Sequence, residues 1–227
     1  MKGFFIAIEG TDGSGKKTQA ELLRMRLEHD GYTVVPASFP QYGKKSAGPV
    51  EEYLNGKYGS SQAVGPYAAS LLYAVDRFDA RARILEFLDR GYIVISDRYV
   101  DSNIGHQGGK IQDESEREKF CLWVYDIEYR IFGVPRPDLT IIPHMPADIA
   151  QKLTGRRQQR LYIERDNHDI HETDAEHLKN AEAAYLWLVE QYPDDHVLVE
   201  CMEEDAMLPP EAVHALIYQE VTQRFPK

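Results

Sequence analysis

The sequence predicts an α/β fold in which a parallel sheet is covered by helices on both faces. Short apolar runs alternate with longer amphipathic segments, and the first apolar run leads directly into a glycine-rich turn. Such alternation is typical of βαβ units, because parallel neighbouring strands need a crossover helix between them. With 227 residues and 43% hydrophobic content, the chain can bury one substantial core, so we expect a single domain over residues 1–227.

Five short apolar runs are predicted to be strands, and four longer segments are predicted to be helices. The strands cover residues 4–8, 33–37, 92–95, 139–142 and 197–199. The helices cover residues 16–29, 67–88, 147–153 and 210–225. On the long helix we expect a mostly buried apolar set: Leu71, Leu72, Val75, Phe78, Ile84, Leu85 and Leu88. On the last helix we expect four residues to pack against the sheet: Val213, Leu216, Ile217 and Val221.

The glycine-rich turn after the first strand has the spacing of a phosphate-binding loop. Residues 10–18 are GTDGSGKKT, which matches G-x-x-x-x-G-K. Glycines let backbone N–H groups face phosphate oxygens, and the N-terminus of the next helix favours negative charge. The alternative is a glycine-rich turn that begins an ordinary helix. We expect a nucleoside triphosphate here, held by Gly10, Gly13, Ser14, Gly15, Lys16, Lys17 and Thr18.

Lys17 departs from the pattern at the position where Ser or Thr usually binds Mg²⁺. Thr18 is a weak substitute, since one residue later on a helix it points about 100° away. We expect the metal to be held mainly by phosphates, water and a carboxylate elsewhere. Asp97, at the end of the third predicted strand, is the candidate carboxylate, directly or through water.

Three further motifs lie on the side of the sheet where ligands bind in parallel α/β folds. They are FPQY at residues 39–42, LLYAVDR at 71–77 and DRY at 97–99. Tyr73 and Arg77 are four residues apart, so one helix face presents a ring for a base beside a guanidinium for an anion. The alternative makes Tyr73 a core residue and Arg77 part of a surface ion pair. Asp97 suits Mg²⁺ and Arg98 suits phosphate, whereas a strand-end salt bridge is the simpler reading.

Composition argues against several classes of function. The formal net charge of −11 disfavours broad contact with nucleic acid or anionic membranes. Cys121 and Cys201 lie far apart without metal-site spacing, so we expect reduced, structural thiols. No stretch approaches the ~20 apolar residues of a membrane span, and the first apolar run is too short for a signal-peptide core. We therefore expect a cytoplasmic protein with no nucleic-acid or membrane partner.

Six motifs together make the chain similar to one kinase family. They are GTDGSGKKTQ, FPQY, LLYAVDR, SDRYVDSN, GVPRPDL and TGRRQQR. Jointly they resemble the thymidylate kinases, which are P-loop nucleoside-monophosphate kinases. The resemblance implies a P-loop NTPase-type three-layer fold, with a five-stranded parallel sheet flanked by helices and a helical lid at about residues 154–172. It also implies a homodimer that uses ATP and Mg²⁺ to phosphorylate dTMP to dTDP for dTTP synthesis.

The same resemblance assigns roles to residues that would bind dTMP. It implies that Asp12 meets the sugar 3′-hydroxyl, that Tyr73 stacks on thymine, and that Arg98 binds the acceptor phosphate. Arg77 would contact either thymine or that phosphate. The other implied contacts are Phe39 and Pro40 in the pocket wall, Tyr42 through its hydroxyl, Tyr99 near the sugar, and Ser102, Asn103 and Gln107 near the base. His106 lies near the sugar, where some relatives have Tyr.

The lid segment is expected to supply further positive charge. Arg156 and Arg160 are four apart and can share a helix face, so they join Lys16, Arg98 and Asp97 as catalytic candidates. Arg157 is assigned to ATP. A solvated basic stretch is the alternative reading of this segment.

No general base is expected, because the second pKa of a phosphate ester is about 6. Catalysis should consist of positioning and of positive charge around the moving phosphoryl group. Two alternatives stay open. In the first, the acceptor is another deoxynucleoside monophosphate or a deoxynucleoside. In the second, the chain is a non-catalytic nucleotide-binding regulator, which the unusual Lys17 suggests.

Overall fold

The architecture is described from a computed structural model, for residues 2–154 and 175–225. The strands are β1 Phe4–Ile8, β2 Val34–Ser38, β3 Ile93–Asp97, β4 Leu139–His144, β5 His196–Glu200, β6 Met202–Glu203 and β7 Ala206–Met207. The helices are α1 Lys16–His29, α2 Gly48–Leu54, α3 Ser61–Asp89, α4 Asp101–His106, α5 Glu114–Tyr125, α6 Ala147–Thr154, α7 Ala175–Gln191 and α8 Pro210–Arg224. Short helical turns cover Lys45–Ala47, Gly108–Lys110 and Asp126–Ile131.

Five parallel strands form the central sheet in the order β2-β3-β1-β4-β5, which confirms the predicted fold class. All five predicted strands occur, with ends shifted by at most two residues, and α1 has the predicted bounds. The first strand is central, and every residue in it is buried. Its carboxyl end therefore places the phosphate loop at the middle of one sheet edge, beside the end of β3.

Two apolar clusters lie on opposite faces of the sheet and produce three layers. Alternate residues of β1 enter different clusters, as the two-residue period of a strand requires. Phe4, Ile6 and Ile8 pack with α1 and α8, whereas Phe5 and Ala7 pack with α3, α4, α5 and α7. The two cysteines are buried and free, one in each cluster, which confirms the prediction of structural thiols.

Two details of the predicted helix packing are wrong. Leu71, Val75 and Phe78 are 39%, 47% and 50% exposed, because α3 packs against the sheet with another face, which carries Ala80, Ile84 and Leu88. On α8, Val213, Ile217 and Val221 pack in the core as expected, but Leu216 is 42% exposed on the outer face. The long helix also begins earlier than predicted, at Ser61, and has a non-helical break at Gly65.

Within the described ranges, none of the helices is both long enough and apolar enough to cross a bilayer. The cytoplasmic location stays a prediction.

Candidate active site

The phosphate loop connects β1 to α1 and has the backbone that its glycines allow. Gly13 has a φ of +91°, and a Cβ there would lie 2.4 Å from the carbonyl oxygen of Ala150 on α6. Gly15, with a φ of +85°, provides the left-handed residue that precedes the first turn of α1. The loop therefore tolerates a side chain at neither position without strain.

Lys16 lies almost entirely inside the fold, with 6% of its surface exposed. Its Nζ donates to the backbone oxygen of Thr11 at 2.6 Å. Burial lowers its pKa to about 7, and the nearby Arg98 acts in the same direction against Asp12 and Asp97. A polyanion bound in the loop would restore the charge of this ammonium group, since an opposite charge favours the protonated form.

A wide groove runs beside the phosphate loop and ends at the third strand. Its lining includes Gly13, Gly15, Lys16, Lys17 and the carboxylate residue Asp97. The loop and the expected metal ligand therefore share one cavity. Thr18, the weak metal candidate, is exposed on α1 and does not line this groove, which follows from the rotation of about 100° per residue of a helix.

A second cleft adjoins this groove. Its lining is Asp12, Phe39, Pro40, Tyr42, Leu54, Tyr73, Arg77, Arg98, Ser102, Asn103, His106 and Gln107. The structure thus brings together every predicted dTMP-binding residue except Tyr99. It adds Leu54, which sequence reasoning missed.

Tyr99 lies behind the cleft wall and does not line the cleft. It is 1% exposed, and its ring packs edge-on against Phe5 and tilted against Phe39, with centroids 4.8 and 5.5 Å apart. The resemblance implied a ligand contact, but this side chain, two residues beyond the end of β3, packs in the core with Phe5 and Phe39.

Arg77 is paired inside the protein, so neither sequence-based reading of it was complete. It forms two hydrogen bonds of 2.6 Å with the carboxylate of Glu128, and both side chains are 1% exposed. Its third contact is with the backbone oxygen of Tyr99. Glu128 also accepts from Asn103 at 3.0 Å. The charge of Arg77 is therefore neutralised by the protein, and its role as a phosphate ligand loses support.

The carboxylate of the LLYAVDR motif holds the turn that follows β2. Asp76 is buried and accepts from the backbone N–H of Gln41 at 2.7 Å and from Ser46 Oγ at 2.6 Å. Gln41 returns a hydrogen bond to the backbone oxygen of Asp76. This network ties the FPQY turn, with its cis Phe39–Pro40 peptide, to α3 and so sets one wall of the cleft.

Arg98 lies between the two cavities and lines both. Its φ of 65° is unusual for a residue with a side chain and costs of the order of 1 kcal/mol. Hydrogen bonds from its own N–H to Ile8 and from Ser96 Oγ to its carbonyl oxygen hold this backbone. The guanidinium donates to Asp12 at 2.7 Å and to His106 at 2.6 Å. Burial opposes its charge, but Asp12 and other anions outweigh burial and raise the pKa of Arg98.

Glu9 is a further site residue that sequence reasoning missed. Fully buried, it accepts from Ser102 Oγ at 2.6 Å, from the backbone N–H groups of Tyr99 and Ser102, and from Tyr185. Burial raises its pKa, and Asp101 adds to that shift. Glu9 thereby joins the start of α4 to the end of β1. Its only sequence signal was an acid at the end of an apolar run.

The lid candidates Arg156, Arg157 and Arg160 lie outside the described residues. The segment that contains them is flanked by α6, whose Ala150 contacts the phosphate loop, and by α7, whose Tyr185 contacts Glu9.

The phosphate loop follows a central parallel strand, and Arg98 lines both the groove beside this loop and the second cleft. These features define a P-loop phosphotransferase with two adjoining substrate sites. Comparison with known proteins narrows this class. The family model described as thymidylate kinase matches residues 8–217. The chain therefore belongs to the thymidylate kinase family, an ATP-dependent family of enzymes whose reaction is phosphorylation of dTMP.

Individual relatives agree with the family match. The chain is 36% identical over 189 residues to a thymidylate kinase of Mycobacterium tuberculosis, which covers 82% of this chain and 86% of that protein. It is 33% identical over 220 residues to a thymidylate kinase of Clavibacter michiganensis, with 96% and 93% covered. It is 32% identical over 205 residues to a thymidylate kinase of Thermoanaerobacter, with 90% and 92% covered.

Proposed function

We propose that this enzyme transfers the γ-phosphoryl group of ATP to dTMP at the junction of the two cavities, with Mg²⁺ as its metal. The observation that carries the proposal is the shared lining of the two cavities: Asp12, Phe39, Pro40, Tyr42 and Arg98 face both. A triphosphate in the loop and a monophosphate in the cleft would therefore meet head to head at Arg98.

The cleft supports recognition of a pyrimidine base by shape and by one polar group. The partly exposed ring of Tyr73 offers a stacking surface, steadied by an edge-on contact with Tyr53 at 6.3 Å. Asn103 donates from Nδ2 to Glu128 and to the backbone oxygen of Ser70, so its Oδ1 is the atom available to accept from an N–H of the base. Thymine has one such N–H group between two carbonyl groups.

The charges around the junction support phosphoryl transfer without a general base. Arg98 would bind the acceptor phosphate, and Lys16 would bind the outer phosphates of ATP. These two cations offset the repulsion between the substrates, which is the main barrier to bringing them together. Asp12 pairs with Arg98 through Oδ1 and can accept from the sugar hydroxyl.

The residues of the groove fit a magnesium ion that is held mostly by its substrate. Among the described residues, no group of three or more His, Cys, Asp or Glu side chains is arranged to hold a metal. The groove lining includes the carboxylates of Asp12, Glu21 and Asp97, of which Asp12 pairs with Arg98 and Glu21 with Arg24, so Asp97 is the ligand proposed for the metal. Mg²⁺ commonly takes one or two carboxylates together with phosphate oxygens and water, so one ligand suffices. When bound, the ion would neutralise charge on the transferring phosphates.

Arg156, Arg157 and Arg160 keep the roles that the sequence proposes for them, as sources of positive charge near the transferred group. The support for this is their position between α6 and α7, which both contact the site. We also propose that residues 1–227 act as one catalytic domain with this segment as its lid.

Acceptor choice is tested by measuring ADP release with dTMP, dUMP, dGMP, dCMP and thymidine, each with ATP and Mg²⁺. We expect the highest kcat/KM with dTMP, because Asn103 and Tyr73 suit thymine and Arg98 requires a phosphate. A preference for thymidine would overturn the assignment of a monophosphate acceptor. Tight ATP binding without product from any acceptor would favour the regulator hypothesis.

The active form is proposed to be a homodimer that associates through α3. Tyr67, Leu71, Val75 and Phe78 recur on one face of this helix and are 39–50% exposed. Phe78 also packs against Phe132, which extends the same apolar surface. Exposed apolar stripes of this kind mark association sites.

In light scattering, the parent should have the mass of a dimer and Val75→Glu that of a monomer, while Glu86→Gln on the same helix should remain dimeric. A monomeric parent would refute the proposal.

A further inference from the structure

We infer that His106 is a positioning residue for phosphoryl transfer: as a neutral imidazole, it holds the Arg98 guanidinium in place at the junction of the two cavities. The inference rests on the proposed contact between Arg98 and the acceptor phosphate. It gives His106 a task distinct from contact with the sugar.

The contact between His106 and Arg98 determines which ring nitrogen carries the proton. Arg98 Nη1 lies 2.6 Å from His106 Nε2. Arginine can only donate, so Nε2 must be the acceptor and must be unprotonated. The other terminal nitrogen of Arg98 donates to Asp12 at 2.7 Å. The guanidinium is therefore held from two sides, by the phosphate loop and by α4.

A second histidine supports the same tautomer. Nδ1 of His106 carries the remaining proton and faces Nε2 of His177 on α7, 3.3 Å away. The two rings are nearly parallel, with an interplanar angle of 21° and centroids 5.5 Å apart. The ring of Tyr185 meets His106 edge-on at 6.0 Å. These contacts restrict the ring so that Nε2 points at Arg98.

The charges around His106 keep it in the accepting form. Burial lowers its pKa well below the usual value, and the neighbouring cation Arg98 and His177 lower it further. Lys16 acts in the same direction, and Asp12 opposes them. The ring therefore favours its neutral form.

Close packing of α4 on α7 brings His106 and His177 into contact. A Cβ at Gly105 would lie 2.3 Å from the ring of Tyr185, and one at Gly109 would lie 2.8 Å from the backbone oxygen of Asn180. The absence of a side chain leaves room for the Tyr185 ring at Gly105 and for the α7 backbone at Gly109, in the turn after α4, and so lets His106 approach His177. The position of Arg98 is thus coupled to α7, the helix that follows the lid segment in the chain.

Binding of dTMP and of thymidine by His106→Phe provides the test, because only dTMP carries the phosphate that Arg98 would bind. Phenylalanine keeps a ring between His177 and Tyr185 but removes the acceptor. A hydrogen bond to a charged group contributes enough that we expect affinity for dTMP to fall about tenfold or more, with thymidine unchanged within about twofold. His106→Gln, whose side-chain oxygen can accept from Arg98, should recover most of the loss.

Matched variants separate this inference from the proposed function. His29→Phe, at a histidine that is 85% exposed on α1, should bind both ligands as the parent does. Arg98→Gln should lose the preference for dTMP over thymidine; if it does not, the phosphate contact itself is wrong. If Arg98→Gln loses the preference and His106→Phe keeps it, only the inference about His106 fails.

Two further results would overturn the inference that His106 positions Arg98. One is an equal loss of affinity for thymidine and dTMP, which indicates general damage to the cleft. The other is a changed preference between dTMP and its 2′-hydroxy analogue with dTMP affinity intact, which indicates a sugar contact. Should His106→Phe not fold, His106→Met removes the acceptor with a flexible apolar chain and is measured in the same way.

Discussion

Replacing Glu128 with glutamine should destabilise the enzyme strongly, because it leaves the charge of Arg77 unpaired inside the protein. Both side chains are 1% exposed, and two hydrogen bonds of 2.6 Å join them. Arginine does not give up its proton in proteins, so the charge cannot be relieved by titration. Removing one partner of a buried ion pair costs about 3–5 kcal/mol, and we expect the free energy of unfolding to fall by that amount.

The hydrogen bonds give a second reason for a loss of this size. Glu128 Oε1 accepts from Arg77 and from Asn103, and Oε2 accepts from Arg77. Glutamine places an NH₂ group where one of these oxygens was, so at least one buried donor loses its acceptor, at a cost of about 1–3 kcal/mol. This cost is contained in the total, since both effects arise from the same contact.

The assay is urea unfolding followed by circular dichroism, without nucleotide. The double variant Arg77→Met/Glu128→Leu should be more stable than Glu128→Gln by about 2 kcal/mol or more, because it removes both buried charges together. Glu116→Gln is the matched control: its partner is Lys119, both side chains are more than half exposed, and no measurable change is expected. A Glu128→Gln variant within about 1 kcal/mol of the parent would refute the reasoning, as would a double variant less stable than the single one.

Three further predictions concern the loop, the base and the pH dependence of stability. Lys16→Ala should lower kcat for ADP formation by about 10²-fold or more, whereas the exposed Lys119→Ala should match the parent; equal rates would contradict the role of the loop lysine. Tyr73→Ala should weaken dTMP binding by about 1–3 kcal/mol and Tyr73→Phe should not, as measured by titration; equal affinity in all three would exclude stacking. Burial opposes protonation of His196, but Asp101 outweighs it and raises the pKa of His196 to about 10. Because the folded pKa is raised, the stabilising contribution of His196 is complete below pH 6.5 and is lost as the pH rises through about 10. The difference in unfolding free energy between the parent and His196→Gln should therefore shrink over that window. A difference that does not vary with pH would contradict this account.

Local patterns were sufficient for the elements around the phosphate loop. The run at residues 4–8, the glycines that follow and the amphipathic period of residues 16–29 predicted β1, the loop and α1 with their observed bounds. All of these signals lie within a single βαβ unit, where neighbouring residues determine the backbone. The same period failed for Leu71, Val75 and Phe78, since it shows which residues share a face of a helix and not what that face contacts.

The sequence predicted which residues line the acceptor cleft but not which side chains hold them in place. The resemblance to the thymidylate kinases assigned to the cleft every lining residue except Leu54, and of the residues it assigned only Tyr99 does not line the cleft. The partners that hold these residues come from elsewhere in the chain. Glu128 is 51 residues from Arg77, and Tyr185 is 176 residues from Glu9. No local pattern marks such pairs.

By itself, then, the sequence determined the class of fold, the position of the phosphate loop and the identity of the family, because glycine spacing, strand runs and short motifs are local properties of the chain. Only the tertiary structure decided that Arg77 is neutralised by Glu128, that Tyr99 packs beneath the cleft, and that His106 faces Arg98. Ion pairing, burial and the tautomer of a histidine depend on which distant side chains come within a few ångströms, and folding alone determines that.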